Sequence, residues 1–566
     1  MSETGALVSR VYGAFRGVDF RGEEIDLPRS PNSLNVWKDY KETDSIRTRP
    51  GMKRVHMNNN VNGIFFYKGA MLIHSGTKLY KDLVGVTVQL KDDLNNAVSD
   101  AFVYEGIWYF KDGKNYLQYD GQTIKEVEGY VPTTSIGRKP TDGNSVGGGT
   151  TNEDINMLSD YRKNTFLGDS ESTFFYLDTK EIDDDFPVKV TISIAGKDTP
   201  YEAITVDYKN GVVEFNEAPP VPDTVGQDNV TIEFKKSVSG YKERILGCTL
   251  LQVFDNRVFF SGNPNYPNFV WHCSLNDPTY CSDLDYYQEG LDSAKVTGLV
   301  AGNNALWVFR EPSDANTTVF YHAPTIDSDY GKIYPSQHSS ITTGCVGKAI
   351  NFNDDIIFFS DRGMEGISGD ITTEQAVAHR SSLVDRKMTA EPNYKNMILA
   401  EWEGYLFVFI GSKAYLADSR TAFANEGHAE YEWFYWDLGM NITCARVHDG
   451  VLYLGTATGV YALTDHDSDV ESYWVTPKDK FLSPHKLKTT NKRGCVVEAK
   501  GDISVYAKLE DTDFELIGTY ENITDYFVSR IKRKKWKDIQ LKFYSKTRFS
   551  LETATLEAFV GGYIKR

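Results

Sequence analysis

Two short stretches of the sequence carry residue types that serve in catalysis or metal binding. Gly143–Gly147 (GNSVG) has the letters of a nucleophile elbow, in which a strained turn between a strand and a helix exposes the serine. Both of its flanks are rich in Gly, Ser, Thr and Asn, which predicts a flexible linker instead. Asp465–Asp469 (DHDSD) resembles the start of a calcium loop, but Val470 and Thr476 stand where that loop requires Gly and Glu. We therefore predict neither a catalytic serine nor a calcium site.

Histidine and cysteine give no stronger signal. The ten histidines form no H-x-H or H-E-x-x-H pattern, and no C-x-x-C pair occurs, so the sequence predicts no metal, no cofactor and no enzymatic activity. Sparse cysteines within apolar strand patterns are typical of buried, reduced thiols. The six are Cys248, Cys273, Cys281, Cys345, Cys444 and Cys495.

The main charge feature is a basic cluster around Trp536, in a chain whose formal net charge is −18. Its members are Arg530, Lys532, Arg533, Lys534, Lys535 and Lys537. One interpretation is a hairpin turn with a solvated edge, where the charge prevents edge-to-edge aggregation. The other is a contact site for an acidic neighbouring subunit or for DNA phosphate. The sequence leaves both open.

The elements that would position such residues are short strands. In Ile398–Asp418 the turns at Glu403–Gly404 and Gly411–Lys413 separate three apolar stretches. The middle stretch, Tyr405–Ile410, has six consecutive apolar residues, which predicts a strand buried on both faces because a half-exposed strand would alternate. Such hairpins need similar neighbours to cover them.

Six further segments have the same pattern of apolar run, polar turn and apolar run. They are Ile64–Tyr80, Ala101–Tyr119, Leu250–Ser261, Leu299–Arg310, Ala349–Ile367 and Ala445–Ala462. From Val258 onward they recur roughly every 45–50 residues, the period of four-stranded propeller blades. We predict an all-β protein, a β-propeller of about seven blades with an inserted small β-sandwich and a C-terminal β-sandwich. A meander of hairpins in two or three sandwiches is the alternative.

Changes in pattern along the chain predict five regions. Residues 1–55 form an arm that either packs across the propeller or closes its ring, and 56–140 hold the first blades. Residues 141–242 are a linker and the inserted sandwich, with a hairpin signal at Asn210–Gly211. Residues 243–470 hold the remaining blades, and 471–566 the C-terminal sandwich.

Composition narrows the class of protein. Apolar residues make up 40% of the 566 residues and aromatic residues 13%, enough for large β cores. The acidic balance disfavours general binding to nucleic acid or anionic membranes. The sequence has no signal-peptide pattern at its start and no run of eighteen apolar residues, so we expect synthesis as a soluble cytoplasmic protein.

Several segments resemble bacteriophage tail nozzle and tail-tube-B proteins, and the related virion stabilisation proteins. Ser30–Pro31–Asn32 and Asn35, followed by Arg49–Pro50–Gly51, resemble the Asn-containing arm and R-P-G turn that precede the propeller in those proteins. The other similar segments are Asp160–Asp169 and Asn210–Pro220, which resemble parts of their inserted domain, and Gly561–Arg566, which is similar to their ending.

The resemblance implies a structural virion protein at the tail or head–tail junction, assembled in the host cytoplasm. It implies a ring, commonly a hexamer, that contacts portal, adaptor and other tail proteins. Genomic DNA would pass through its channel without sequence-specific binding. The chain lacks an obvious long tip domain, so its level in the tail stays open. Two other functions also stay open: a carbohydrate-binding or glycan-cleaving propeller that recognises a cell surface, and a cellular interaction scaffold.

Overall fold

The computed structural model describes residues 5–22, 25–39, 42–83, 85–136, 151–314, 317–328, 331–367, 376–425, 428–464, 469–531 and 535–563. Strands contain 55% of these described residues and helices 3%, so the protein is all-β, as predicted. The chain divides into a first unit, Met1–Val98 with Thr297–Arg566, and a second unit, Ser99–Val296. No helix in the described ranges is long and apolar enough to cross a membrane.

The first unit begins with four strands of the N-terminal segment and one complete four-stranded sheet. The segment contains β1 (Ala6–Tyr12), β2 (Val36–Asp39), β3 (Glu42–Thr48) and β4 (Gly51–His56). The sheet that follows is an antiparallel meander of β5 (Val61–Tyr67), β6 (Ala70–Ser75), β7 (Lys78–Leu83) and β8 (Val86–Lys91).

The second unit contains two four-stranded sheets and, between them in sequence, a two-sheet insert. The first meander is β9 (Asp100–Tyr104), β10 (Ile107–Lys111), β11 (Tyr116–Tyr119) and β12 (Ile124–Glu126). The insert contains β13 (Thr133–Ser135), β14 (Tyr161–Phe166), β15 (Phe174–Tyr176), β16 (Lys189–Ile194), β17 (Lys197–Tyr201), β18 (Ile204–Asp207), β19 (Val212–Phe215) and β20 (Val230–Lys235). The helix α1 (Tyr241–Leu246) leads to the second meander, β21 (Leu250–Phe254), β22 (Arg257–Ser261), β23 (Phe269–His272) and β24 (Tyr286–Gln288).

The insert is a small β-sandwich. Its five-stranded sheet has the order β13-β14-β20-β16-β17, and its three-stranded sheet the order β15-β19-β18. Phe166 and Ile232 from the larger sheet share one core with Phe175 and Val213 from the smaller one. Alternation along these strands buries one face of each sheet, which is why two short sheets suffice.

The first unit resumes with four more four-stranded sheets. In chain order the strands are β25 (Val296–Gly302), β26 (Ala305–Arg310), β27 (Val319–His322), β28 (Thr325–Asp327), β29 (Gly331–Ile333), β30 (Ser336–His338), β31 (Ala349–Phe352), β32 (Asp355–Phe359), β33 (Met364–Ile367) and β34 (Val377–His379). The helix α2 (Asp385–Met388) and a 3-10 turn (Tyr394–Asn396) precede β35 (Ile398–Trp402), β36 (Tyr405–Ile410), β37 (Lys413–Asn425), β38 (His428–Asp437), β39 (Ile442–His448), β40 (Val451–Thr456) and β41 (Gly459–Thr464). The sheet orders are β25-β26-β27-β30, β31-β32-β33-β34, β35-β36-β37-β38 and β39-β40-β41-β4.

Seven four-stranded sheets therefore occur within the described residues, and each contains one of the seven predicted segments. The chain has the β-propeller fold. The fourth strand of the last sheet is β4, which pairs antiparallel with β41. The N-terminal segment therefore completes a blade whose other three strands come from residues 442–464.

The middle strand of a blade shows how the sequence produces this fold. Every residue of Tyr405–Ile410 is buried, as six consecutive apolar residues predicted. The preceding turn places Glu403 at φ 53° and Gly404 at φ 76°, which matches the twist of the flanking strands in a two-residue hairpin. The same local signal recurs in the other blades, which is why they could be found from the sequence.

The C-terminal part of the first unit is a ten-stranded sheet. It contains β42 (Ser472–Val475), β43 (Lys486–Leu509), β44 (Glu515–Ile523), β45 (Tyr526–Ser529), β46 (Lys535–Trp536), β47 (Ile539–Ser545) and β48 (Phe549–Tyr563), together with β1, β2 and β3. The 24-residue β43 pairs with β44, β45, β46, β47 and β48. The N-terminal segment thus contributes strands both to a blade and to this sheet.

Candidate functional site

The basic cluster predicted from the sequence lies at an edge of the C-terminal sheet. Arg530 follows β45, Lys535 lies in β46 and Lys537 follows it, and all three side chains are exposed. No ion pair within the described residues involves them. Lys532, Arg533 and Lys534 lie outside the described residues. Three unpaired cations on one edge give a local positive charge on a chain that is acidic as a whole.

Trp536 fixes the backbone of this edge. Its side chain is fully buried, its indole N–H donates to Thr490 Oγ1 at 3.2 Å, and its ring meets Phe481 edge-on at 5.2 Å. The buried Lys488 ammonium donates to the carbonyl of Lys537 at 2.7 Å. Trp536 is therefore an anchor for the turn, and its ring is not available for stacking on a nucleotide base.

A groove of about 260 Å³ opens beside the cluster. Its apolar wall includes Leu516, Ile531 and Trp536, and its rim includes Arg530 and Lys535 together with Glu510 and Glu515. Because two carboxylates stand among the cations, the groove itself is not a phosphate cradle. The exposed cations around it suit contact with an acidic protein surface or intermittent contact with phosphate.

Asn35 and Arg49, two residues of the N-terminal motif described above, meet in a buried junction. Asn35, at φ 55°, accepts on Oδ1 from Arg49 Nε at 3.0 Å and from the backbone N–H of Asp437 at 2.9 Å. Its Nδ2 donates to the carbonyl of Glu471 at 2.9 Å. Arg49 Nη1 also donates to the carbonyl of Pro50 at 2.9 Å. One asparagine thus joins the N-terminal segment, β38 and the chain entering β42.

Burial sets the electrostatics of this junction. Asn35 and Arg49 are 5% and 6% exposed. Desolvation lowers the pKa of Arg49 to about 10, against a smaller opposing effect of Asp437. The guanidinium is still charged at neutral pH, and its hydrogen bonds to oxygen atoms compensate for its burial. These hydrogen bonds join three segments of the first unit.

The structure adds one cluster of titratable groups that the sequence did not predict. Glu365 on β33 and His379 on β34 are cross-strand partners, and His379 Nδ1 lies 3.1 Å from Glu365 Oε2. His379 Nε2 lies 2.5 Å from Asp385 Oδ2 at the start of α2. Ser381 donates to Asp385, not to the imidazole. Only the fold brings these residues together, because no spacing rule links them.

Protonation decides what this cluster can do. Burial opposes the charged imidazole, but the hydrogen bonds that its N–H groups donate to Asp385 and Glu365 outweigh this effect and raise the pKa of His379 to about 10. A histidine that stays protonated at neutral pH cannot act as a general base. The cluster is therefore an ion-paired clamp between β33, β34 and α2.

Comparison with known proteins gives likeness of fold only. No protein-family model matches the chain, and no curated protein sequence matches it. Among solved structures it is similar to BamB from Moraxella catarrhalis, at 11% identity and a TM-score of 0.34, covering 74% of this chain and 96% of that one. It is also similar to apo AztD from Citrobacter koseri, at 7% identity and a TM-score of 0.30, covering 96% and 99%. The Pan2 WD40 domain from Neurospora crassa matches at 7% identity and a TM-score of 0.27, covering 74% and 96%.

The remaining sequence candidates give no site. Gly143–Gly147 and residues 465–468 lie outside the described residues. Within the described ranges, no group of three or more His, Cys, Asp or Glu side chains is placed to hold a metal ion. All six cysteines are free and buried, as predicted, and burial raises the pKa of Cys248 and Cys495 to about 12.

Proposed function

We propose that this protein is a structural, non-enzymatic component of a bacteriophage tail. Its subunits form a ring, a hexamer in the form that the sequence resemblance implies, at the nozzle or the head–tail junction. The ring provides a channel for retention and ejection of DNA and contacts portal, adaptor or other tail proteins.

The observation that carries this proposal is the Asn35–Arg49 junction. The same motif residues that resemble the arm of phage tail proteins are buried, hydrogen-bonded to each other, and bound to β38 and to the segment before β42. Catalytic residues must be accessible to a substrate, whereas Asn35 and Arg49 are buried. Their arrangement supports a mechanical role, in which the arm locks a blade to the C-terminal sheet.

Charge supports passage of DNA rather than tight binding. The net charge of −18 repels phosphate, and a channel that held many phosphates through Lys and Arg would retain the DNA. The exposed Arg530, Lys535 and Lys537 then serve best as a contact to an acidic neighbouring subunit.

Negative-stain imaging of the purified protein, alone and mixed with its neighbouring tail proteins, tests the proposal. We expect rings, or assembly onto a portal-type complex, and labelling of the tail by an antibody against this chain on intact virions. Monomers under all these conditions, with no label on the virion, would contradict the proposed role. Turnover of a glycan by the purified chain would replace it with the enzymatic alternative.

A further inference from the structure

A second cleft, of about 550 Å³, lies in the first unit between the N-terminal segment, the β37–β38 hairpin and β48. Its charged lining consists of Arg16 and Lys38 with Asp44, Glu432 and Glu552. The cleft is separate from the basic cluster and shares no residue with it. A cleft of this size falls within the range of small-ligand sites, about 300–1,000 Å³.

Lys38 is the unusual residue of this cleft. Its side chain is nine-tenths buried, with 7% exposed, yet within the described residues its ammonium has no hydrogen bond and no ion pair. The backbone at this position is fixed, because the carbonyl of Lys38 accepts from Tyr405 Oη at 2.8 Å and from Arg420 Nη2 at 3.2 Å. Burial lowers the pKa of Lys38. Glu432 and Asp418 partly offset this effect, but the ammonium of a residue that is 7% exposed is poorly hydrated, so an acceptor supplied from the cleft would stabilise it.

The carboxylates of the cleft supply hydrogen-bond acceptors, whereas the Lys38 ammonium is a donor. Glu432 is 3% exposed, accepts from Thr421 Oγ1 at 3.0 Å and lies 3.5 Å from Arg16 Nε. Burial raises the pKa of Glu432. The exposed side chain of Asp44 has no partner within the described residues, so the cleft offers unused acceptors as well as unused donors.

We propose that this cleft binds a neutral, polyhydroxylated ligand of the carbohydrate class. A hydroxyl group both donates and accepts, so one ligand satisfies the Lys38 ammonium and the Asp44 carboxylate together. An anion would be repelled by the three carboxylates, and a cation by Lys38 and Arg16. This site goes beyond the proposed structural role and does not depend on it.

The apolar part of the lining fits the same ligand class. Phe423 forms one wall of the cleft, and Arg29 Cζ lies 4.6 Å from the centre of its ring. A guanidinium on one face of the ring fixes its orientation. The part of Phe423 that lines the cleft adds apolar surface for the C–H groups of a sugar ring, beside the charged groups that would bind its hydroxyls.

Saturation-transfer NMR on the full-length protein tests this site, with maltose, cellobiose and diacetylchitobiose as neutral probes at about 10 mM, well above a weak Kd of about 1 mM. Acetate and methyl phosphate, whose C–H protons can report saturation transfer, are the anionic probes, and spermidine is the cationic one. We expect a saturation-transfer signal from at least one neutral disaccharide. Any signal from the charged probes should be the same in the parent protein and in Lys38→Met. Lys38→Met should weaken disaccharide binding about 10-fold or more, as expected for a lost hydrogen bond to a charged group.

Two further variants keep the test independent of folding. Asp44→Asn changes an exposed side chain, and we expect it to weaken disaccharide binding about 3-fold to 10-fold, whether or not Lys38→Met folds. Lys395→Met, an exposed lysine outside the cleft, is the matched control and should bind like the parent protein. Signal from no disaccharide, binding unchanged in both cleft variants, or Lys38-dependent binding of acetate, methyl phosphate or spermidine instead would each overturn the proposal.

Discussion

Arg49 Nε donates to Asn35 Oδ1 at 3.0 Å, and the backbone N–H of Arg49 donates to the carbonyl of Asn35 at 2.8 Å. The two residues are 14 positions apart and flank β2 and β3, so this double contact closes the hairpin of the N-terminal segment. Through Asp437 and Glu471 the same pair also binds a blade strand and the chain entering the C-terminal sheet.

Replacing Arg49 by Met should therefore destabilise the first unit. The change removes bonds from a buried guanidinium to Asn35 and Pro50, and we expect the free energy of unfolding to fall by about 2–3 kcal/mol, the cost of unmade bonds to a charged group. Urea unfolding followed by tryptophan fluorescence measures it. Lys53→Met, on the exposed face of β4, is the control and should stay within about 0.5 kcal/mol of the parent. Equal effects of the two substitutions would contradict the role of the junction.

A second prediction concerns the path of the arm along β38. Gly17 has φ 79°, and a Cβ at this position would collide with the carbonyl oxygen of Trp433, which accepts from the backbone N–H of Val18 at 2.7 Å. Gly17→Ala should cost more than the roughly 1–2 kcal/mol of placing alanine in the left-handed region. We expect a loss of about 3 kcal/mol or more, measured by thermal and urea unfolding.

Gly69 provides the matched control for this change. It has φ 74°, almost the same as Gly17, but a Cβ there would meet nothing within 4 Å. Gly69→Ala should therefore show the conformational cost alone. If the two alanine variants lost the same stability, the close approach of the arm to β38 would not be a source of stability.

The blades could be predicted from the sequence, and the arm junction could not, for one physical reason. A hairpin such as Ile398–Asp418 is specified by neighbouring residues, since turn glycines and apolar runs lie within about twenty positions. The pairing of β1 with β48 joins Val11 to Thr555, and no local pattern encodes it. The C-terminal region was predicted as a sandwich of its own, whereas its sheet includes three strands from the N-terminal segment.

The candidate sites also divide into one that is contiguous in sequence and two that only the fold assembles. The basic cluster is contiguous in sequence and was found by composition, although half of its residues lie outside the described ranges. The Lys38 cleft and the His379 clamp bring together residues from separate elements. Only the fold shows that Lys38 is buried and that its ammonium has no partner among the described residues, because its sequence context, VWKDY, is that of an ordinary strand.

The His379 clamp predicts a pH dependence of stability with a definite sign. The pKa of His379 is raised to about 10 in the folded protein, against about 6.5 for an unfolded histidine. The stability from the protonated clamp is therefore fully present below about pH 6.5 and is lost as the pH rises toward 10. The difference in unfolding free energy between the parent and His379→Gln should be largest near pH 6 and shrink by pH 10.

Comparing the unfolding free energies of the parent protein and His379→Gln at the same pH cancels the contribution of all other titrating groups. We expect the difference near pH 6 to be about 1.5–3 kcal/mol, as for hydrogen bonds to charged groups. A Glu365→Gln variant should show the same trend, because it removes one of the two carboxylates that stabilise the imidazolium. A difference that stays constant from pH 6 to pH 10 would mean that folding does not raise the pKa of His379.

The basic cluster predicts that assembly depends on three named cations. Changing Arg530, Lys535 and Lys537 together to Gln should leave folding intact, because all three side chains are exposed. If they contact an acidic neighbouring subunit, each pair contributes up to about 1 kcal/mol, so the triple variant should need about 10-fold to 100-fold more protein to assemble. Mass photometry across a concentration series measures this shift.

The control must remove the same charge elsewhere on the surface. Lys53, Lys209 and Lys395 are exposed, and changing all three to Gln lowers the net charge equally. This control should assemble like the parent protein, and added salt should weaken the parent and the control more than the cluster variant, because only they retain the screened contact. Equal assembly of both triple variants would show that the basic cluster only keeps a sheet edge solvated. If the cluster variant assembled normally but lost DNA binding, the cluster would instead be a contact site for DNA phosphate.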